Sequence, residues 1–456
     1  MTGRRRAAVA SDPAAAHAVL DSAWLGRHLT QLIGPLRGRK LCVAYSGGID
    51  STALLALTAP LRRRHHCQVR ALHIHHGLQA EAEQWAQAAA ARCRSLRIRL
   101  SVRRVQVRRQ RGDSPEAAAR AARYAAFGAE LAPGELLLLA QHQDDQLETV
   151  LLQLLRGAGP AGLAAMSALA PCGAGQLVRP LLSVRRAQLE ALVREQDLSW
   201  SEDPSNRAVH FDRNYLRHRV LPPLLERWPA AAATVSRSAG LMAEAQQALE
   251  QQAEALLAQA IDGEALSVPI LRRFSPPERR LVVRRYLRAR ALALPDQRRL
   301  LEITGAVLQA RADGHTCVRY GEVEIHRFGA QLLARRRLPA LTANAVAWHW
   351  ASEPRITLAG AGTLELLREP HGPIDLRALP DELTVRFRQG GERLAMPHGH
   401  SSLKHLLQER QVPPWLRARV PLIYAGEQLV AVANLWSDPQ LKRGRGGAGR
   451  LAWRAP

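Results

Sequence analysis

Lysine is almost absent from this chain. Lys40, Lys404 and Lys442 are the only three, so arginine carries nearly all of the positive charge. Acidic residues are also in deficit: Lys+Arg number 64 against Asp+Glu 40, a formal net charge of +24. A GC-rich coding bias accounts for arginine over lysine, but not for the excess of base over acid. Such a field concentrates polyanions at the surface and steers them inward, which favours nucleic acid as the partner. Cysteine is sparse: Cys42, Cys67, Cys93, Cys172 and Cys317 are scattered, with no CxxC pair. That spacing argues against a disulfide framework, a zinc ribbon or an iron–sulfur site, and the cytoplasm is the expected compartment. No apolar run reaches the ~18 residues of a membrane helix, so no membrane association is expected. The basic start Met1–Arg6 leads into no clean apolar stretch, so a signal peptide is not expected either. No internal repeat is visible.

What is present is a chain of 456 residues, 47% of them hydrophobic. That suggests about three domains of roughly 100–200 residues each, with ample core. After a basic lead-in with a helix near Ala16–Ile33, strands and helices alternate. Strands are expected at Leu41–Tyr45, Val69–His73, Ile98–Val107 and Glu135–Ala140. Helices are expected at Ser51–Ala59, Gln79–Leu96, Ser114–Glu130 and Gln146–Leu155. This alternation predicts βαβ units and a parallel sheet. Beyond a break at Trp228-Pro229, Ala231–Ile261, Glu278–Leu294 and Gln297–Ala312 read as helices, and this middle stretch as mostly helical. Short strands and turns follow from Thr342 to Pro380. A compact α+β segment runs from Leu383 to Trp436, and a basic Gly-rich tail follows at Lys442–Gly447. The expected division is 1–230, 231–341 and 342–456.

Two segments carry chemistry. The first, Ser46-Gly47-Gly48-Ile49-Asp50-Ser51-Thr52, follows a strand and opens a helix. Two glycines let the backbone turn sharply and present N–H groups, Ser46, Ser51 and Thr52 add hydroxyls, and the helix start is electropositive. The spacing implies a pyrophosphate cradle, and Asp50 stands where a carboxylate holds Mg²⁺ against phosphate oxygens. It is not a Walker A loop, for GxxxxGK[ST] and its lysine are missing. The second, His142-Gln143-Asp144-Asp145-Gln146-Leu147-Glu148-Thr149, also links a strand to a helix. Asp145 and Glu148 share one helix side, as do Asp144 and Glu148. Such pairs bind Mg²⁺ or an ammonium group, or simply offset the helix dipole. His142 suits a general base or a hydrogen-bond donor to phosphate. Both segments lie at strand carboxyl ends, where a parallel sheet binds its ligands.

The first segment resembles the PP-loop of the ATP pyrophosphatases, which cleave ATP between the α and β phosphates. Several further stretches resemble the tRNA(Ile)-lysidine synthetase family: His73–Leu78, Ala119–Tyr124, Arg156–Leu163, Arg179-Pro180-Leu181, Trp200–Asn206, and Arg213-Asn214 with Arg217. Arg388–Arg393, Leu403–Arg410, Pro413-Pro414-Trp415 and Pro421–Tyr424 resemble that family's end domain. The fold so implied is α/β: an N-terminal parallel-sheet PP-loop domain of the adenine nucleotide α-hydrolase type, then a helical domain and a small α+β C-terminal domain.

The resemblance implies a two-step ligation with ATP as co-substrate and Mg²⁺ as cofactor. The wobble cytidine of the isoleucine tRNA bearing CAU is adenylated, and the ε-amine of free L-lysine then displaces AMP. The implied nucleotide site comprises Ser46, Gly47, Gly48, Ile49, Asp50, Ser51, His73 and Arg120, with Asp50 and Asp145 as metal ligands. Asp50, His142, Asp145, Glu148 and Arg213 are the implied catalytic group, with Asp145 and Glu148 receiving the lysine ammonium. Pairing of Arg213 and Arg217 with Glu202 or Asp203 is an equal alternative to contact with substrate. Arg388, Lys404, Arg410 and Arg417 are the implied tRNA contacts. A homodimer is left open. A sulfur-inserting relative would need cysteines in CxxC spacing, which this chain lacks.

Overall fold

The computed structural model describes residues 19–75, 81–106, 115–310, 316–341, 345–396, 399–441 and 448–456. The chain divides into two compact units, 1–248 and 249–456.

The first unit is built on strands β1 (Lys40–Ala44), β2 (Gln68–His75), β3 (Arg99–Arg104), β4 (Leu136–Leu138), β5 (Leu169–Cys172) and β6 (Gly175–Val178). They form one sheet in the order β3-β2-β1-β4-β6-β5. β1 pairs in parallel with both β2 and β4, and β6 continues in parallel beside β4. The hairpin partner β5 closes the edge antiparallel. Leu41, Cys42 and Val43 of β1 and all three leucines of β4 are buried. Their continuous apolar run, without alternation, is what a strand covered on both faces requires. The order reverses at β1, so the carboxyl ends of β1 and β4 flank the crevice of the sheet.

The covering helices are α1 (Ser22–Ile33), α2 (Ile49–Thr58), α3 (Leu61–Arg64), α4 (Ala82–Ser95), α5 (Pro115–Glu130), α6 (Gln143–Leu155), α7 (Pro160–Leu163) and α8 (Arg186–Glu195). α1, α2 and α8 share a core with β1 through Leu25, Leu29, Leu54, Leu55, Leu189 and Val193. Leu55 is fully buried, so Leu55→Ala costs about 2–5 kcal/mol. Then come α9 (Asp212–Tyr215), a π-helical turn at Leu216–Val220, α10 (Leu221–Arg227) and the long α11 (Ala231–Ala260). Leu147 of α6, Leu221 of α10 and Ala232 of α11 form a satellite core. The expected helix near Ala16 begins at Ser22, because Asp21 caps it by accepting from the Trp24 N–H. Ala16, His76, Gln79, Val107, Ser114, Ala312, Thr342 and the 442–447 tail lie outside the described residues.

The second unit holds α12 (Val268–Arg273), α13 (Pro276–Ala289) and α14 (Gln297–Glu302). The helices expected here are accompanied by an antiparallel sheet of β7 (Ile261–Asp262), β8 (Ala265–Ser267), β9 (Thr316–Tyr320), β10 (Val323–Phe328) and β11 (Gln331–Arg336), in the order β7-β8-β11-β10-β9. β10 buries Glu324, His326 and Arg327 beside its apolar residues. Each is satisfied: Glu324 accepts from Arg319 at 3.0 Å and pairs with His326 at 3.1 Å, while Arg327 donates to the carbonyls of Val307 and Leu308. The remainder forms a five-stranded sheet that includes Leu383–Arg386, Leu422–Ala425 and Gln428–Val432, and a four-stranded one that includes Gly362–Arg368 and Ala448–Arg454. The helix Leu403–Glu409 lies between the elements of the first of these sheets in sequence. Trp415 stacks on His326, with ring centroids 4.3 Å apart.

All five thiols are free, and burial pushes them up, Cys42 to about 12 and Cys93 to about 11. No helix among the described residues is long and apolar enough to cross a membrane.

Candidate active site

Three helix starts meet beyond the carboxyl ends of β1 and β4. α2 begins after Gly48, α6 after its N-cap His142, and α8 after Arg185. They are tied together by short bonds. Gln143 N–H donates to the Val184 carbonyl at 2.9 Å, and Arg186 N–H to Asp144 Oδ2 at 2.8 Å. His142 Nε2 lies 3.7 Å from Asp50 Oδ1. Each start presents a positive dipole end, so the arrangement suits an anion.

The loop before α2 is held from within. Ser46 Oγ and Ser51 Oγ are 3.1 Å apart, Gly48 N–H donates to Ser46 Oγ at 3.3 Å, and Ser51 Oγ donates to the Gly48 carbonyl at 2.9 Å. Gly47 has φ +90°, a backbone that L side chains rarely adopt. Gly48 differs: its φ of −72° suits any residue. A Cβ there would meet only Ser46 Oγ, at 3.5 Å. No protein group demands glycine at 48; the open space admits a ligand close to the backbone. From the far side, Ser201 N–H donates to the Gly47 carbonyl at 2.9 Å. This brings the Trp200–Asn206 stretch against the loop, a role its sequence did not reveal.

Asp50 has one buried carboxylate oxygen, Oδ1, with no hydrogen-bond partner. Burial pushes its carboxyl up, against the pull of His142 and Arg186. His142 is 1% exposed and forms a capping box: its Nδ1 accepts from Asp145 N–H at 3.4 Å, and its own N–H donates to Asp145 Oδ2 at 3.0 Å. With Nδ1 accepting, the ring carries a proton on Nε2, which lies 3.5 Å from Asp145 Oδ2 and 3.7 Å from Asp50 Oδ1. His73 is buried beneath the loop, its Nδ1 2.9 Å from the Tyr45 carbonyl. Burial lowers its pKa and keeps it neutral.

Asp145 and Glu148 face two guanidinium groups. Arg213 Nε donates to Glu148 Oε2 at 2.6 Å and its Nη2 to Asp145 Oδ1 at 2.9 Å. Arg217 Nε donates to Glu148 Oε1 at 2.6 Å, and its Nη2 to Glu148 Oε2 and Asp145 Oδ1 at 3.0 and 3.3 Å. So these arginines pair with carboxylates on α6, not with Glu202, whose partner is Arg207. Burial opposes ionisation of Asp145, but His142, Arg213 and Arg217 outweigh it and hold the carboxyl below its usual range. Both Asp145 oxygens are engaged by protein donors, whereas Asp50 Oδ1 is not. Asp144 turns away to Arg185 and Arg186.

Arg120 sits apart, exposed on α5, over the Tyr124 ring at 5.0 Å. Tyr124 OH is 3.4 Å from Nη2 of buried Arg179, which also donates to Gln141 and to the Ser167 carbonyl. Arg120 therefore reaches the residue before His142 only through this relay. In the second unit, Lys404 and Arg410 are exposed around the helix Leu403–Glu409. Arg388 and Arg417 are half-buried; burial, then the Arg388 charge, lowers the Arg417 pKa. None of these four belongs to the unit that carries the crevice. Trp415, Arg319, Arg337 and Arg419 line a recess of about 600 Å³ in the same unit.

The geometry is matched by similarity. Residues 23–224 match a PP-loop domain, 266–333 a TilS substrate binding domain and 383–453 a TilS substrate C-terminal domain. The tRNA(Ile)-lysidine synthase of Methylococcus capsulatus is 43% identical over 407 residues, covering 86% of this chain and 90% of its own length. That of Alkalilimnicola ehrlichii is 42% identical, covering 91% and 93%. The chain belongs to the tRNA(Ile)-lysidine synthase family. Among solved structures, the U34-tRNA thiolase NcsA of Methanococcus maripaludis with its [4Fe-4S] cluster aligns with TM-score 0.42 and 15% identity, over 49% of this chain and 78% of that one. A TilS C-terminal domain aligns with TM-score 0.20 and 20% identity, over 24% of this chain and 97% of that one. In this lysidine synthase family member, the PP-loop match spans the crevice, and both TilS matches fall in the second unit.

Among the described residues, no group of three or more His, Cys, Asp or Glu is arranged to hold a metal ion alone. The orphaned Asp50 oxygen nonetheless fits Mg²⁺, an ion bound through one or two carboxylates plus substrate phosphates and water.

Proposed function

We propose that this chain joins free lysine to carbon 2 of the wobble cytidine in the isoleucine tRNA bearing CAU, forming lysidine and changing decoding from AUG to AUA. In the first step the cytosine carbonyl oxygen attacks the α-phosphorus of ATP. The bond to the bridging oxygen breaks, and pyrophosphate leaves with its electron pair. In the second, the lysine ε-amine attacks carbon 2, and AMP leaves. The observation that carries this reading is the PP-loop crevice, with its unpartnered Asp50 oxygen, in a chain that matches lysidine synthases along most of its length.

Ser46, Gly47, Gly48 and Ser51 line the phosphate side, where fixed N–H donors stabilise developing charge without reorganisation. His142 offers Nε2–H to a phosphate oxygen, a donor role that its tautomer favours over that of a base. Asp50 would hold Mg²⁺, which supplies neutralising charge on the phosphates. Lysine must lose a proton before attack; Asp145, held below its usual range, binds the ammonium, and Glu148 takes the proton. Both carboxylates already carry arginine partners. Lysine therefore binds by exchange: its ammonium takes a site that Arg213 or Arg217 leaves, and the freed guanidinium turns to phosphate. Lys404, Arg410, Arg388 and Arg417 contact the tRNA body, and free thiols suit the cytoplasm.

The test mixes protein, ATP, labelled lysine and isoleucine tRNA bearing CAU. Label enters the tRNA with AMP and pyrophosphate as products; ADP as product, or no transfer of label, refutes the reading.

A further inference from the structure

The crevice contains two arginines that the chemistry above does not use. Arg185 caps α8 and Arg186 opens it. Cations at a helix start oppose the dipole, so this position is costly unless an anion joins them. Neither side chain is fully satisfied. The Nε atoms of Arg185 and Arg186 are buried and make no hydrogen bond. Asp144 Oδ1 lies 3.4 Å from Arg185 Nε, and Glu190 Oε1 lies 3.1 Å from Arg186 Nε, but both are off the N–H direction. Arg185 spends Nη1 on the Pro229 carbonyl at 3.2 Å. Arg186 donates with its backbone only, to Asp144.

The helix that carries them packs beside the nucleotide loop's own helix. α8 and α2 share a core, and Val184 is bonded to the start of α6. The charge of Arg186 favours the ionised form of Asp50. His142, buried to 99%, aims Nε2 at the same corner without a hydrogen bond of its own. The corner thus combines the charge of Arg186, an imidazole and three helix starts with a single orphaned carboxylate oxygen, while Arg185 flanks it on Asp144.

We propose that Arg186 is a further catalytic residue, binding the β- and γ-phosphates of ATP and the pyrophosphate that leaves, with Arg185 as its positioning neighbour. This rests on the proposed function. When the bond between the α-phosphorus and the bridging oxygen breaks, the electron pair stays on pyrophosphate. The guanidinium fork receives the growing charge in paired hydrogen bonds. Glu190 holds Arg186 when no phosphate is bound.

The test is product inhibition of tRNA adenylation by added pyrophosphate, with the full-length protein. Arg186→Ala raises the pyrophosphate inhibition constant at least about tenfold, the weight of one charge-assisted bond, and leaves inhibition by AMP within about twofold. Glu190→Gln leaves the pyrophosphate constant unchanged or lowers it, because it releases Arg186. An unchanged constant in Arg186→Ala overturns the proposal. So does an equal loss in Glu190→Gln, for Arg186 would then matter only as its ion-pair partner. If the alanine variant melts early, Arg186→Lys carries the test, with a pyrophosphate constant raised about threefold or more against an unchanged AMP constant. ADP as the product of the wild-type protein would instead remove the proposed function itself.

Discussion

Two corners of one crevice are built on opposite terms. Around Asp145 and Glu148, two carboxylates meet two guanidinium groups, and the carboxylate oxygens are engaged. Around Asp50, by contrast, buried polar atoms stand without hydrogen bonds: its own Oδ1 and the Nε atoms of Arg185 and Arg186. The first corner is satisfied by the protein itself, so that removing one partner is what costs stability. The second is costly in the empty protein, because buried polar groups without hydrogen bonds lose solvation and gain nothing in return. The contrast separates a ligand site that must be opened by exchange from one that waits for its ligand.

The difference is most sharply tested at Glu148. Glu148→Gln leaves two half-buried guanidinium groups facing one carboxylate, and unfolding free energy falls by about 3 kcal/mol; an unchanged urea midpoint breaks the comparison. Asp50→Asn gives the reverse pattern. Pyrophosphate release in the presence of tRNA falls at least about 100-fold, while the melting temperature holds or rises, since ionising Asp50 is opposed by burial. Away from the crevice, Lys404→Ala and Arg410→Ala each weaken tRNA binding a few-fold and reduce its salt slope by about 1. Equal affinity and slope would remove them from the interface. Point substitutions serve better here than deletion of 383–456, which would uncover His326 by removing Trp415.

The smallest effect belongs to His73. Its folded pKa lies below the ordinary value of about 6.5, so the unfolded chain binds the extra proton first as pH falls. Stability therefore rises with pH through the window below about 6.5, by less than the effects above. His73→Gln flattens that slope in melts taken across the window, and an unaltered slope assigns it to other groups.

Much of the first unit was legible from the chain alone. β1 and β4 are short apolar runs ended by loops, and the SGGxDS spacing has few structural solutions. The helix Gln143–Leu155 began three residues earlier than its apolar pattern suggested, because His142 caps it. Other features were hidden for physical reasons. The partners of Arg213 lie 65 and 68 residues away, at Glu148 and Asp145, so no local spacing marks them. β10 reads Val-Glu-Ile-His-Arg-Phe, and its buried charged residues break the apolar signal of a central strand. The hairpin of β5 and β6 is four residues per strand and carries a proline, Pro171. Arg185 and Arg186 did leave a trace, since paired cations at the start of a helix run against its dipole.

The quiet chemistry of the cysteines has a practical outcome. With Cys42 pushed to about 12 and Cys93 to about 11, and the others raised by burial, maleimide and iodoacetamide find little thiolate at neutral pH. One cysteine introduced at an exposed position such as Lys404 would then take up a fluorophore selectively in the otherwise native protein. A single dye placed so would report tRNA arrival in real time, with no background mutagenesis.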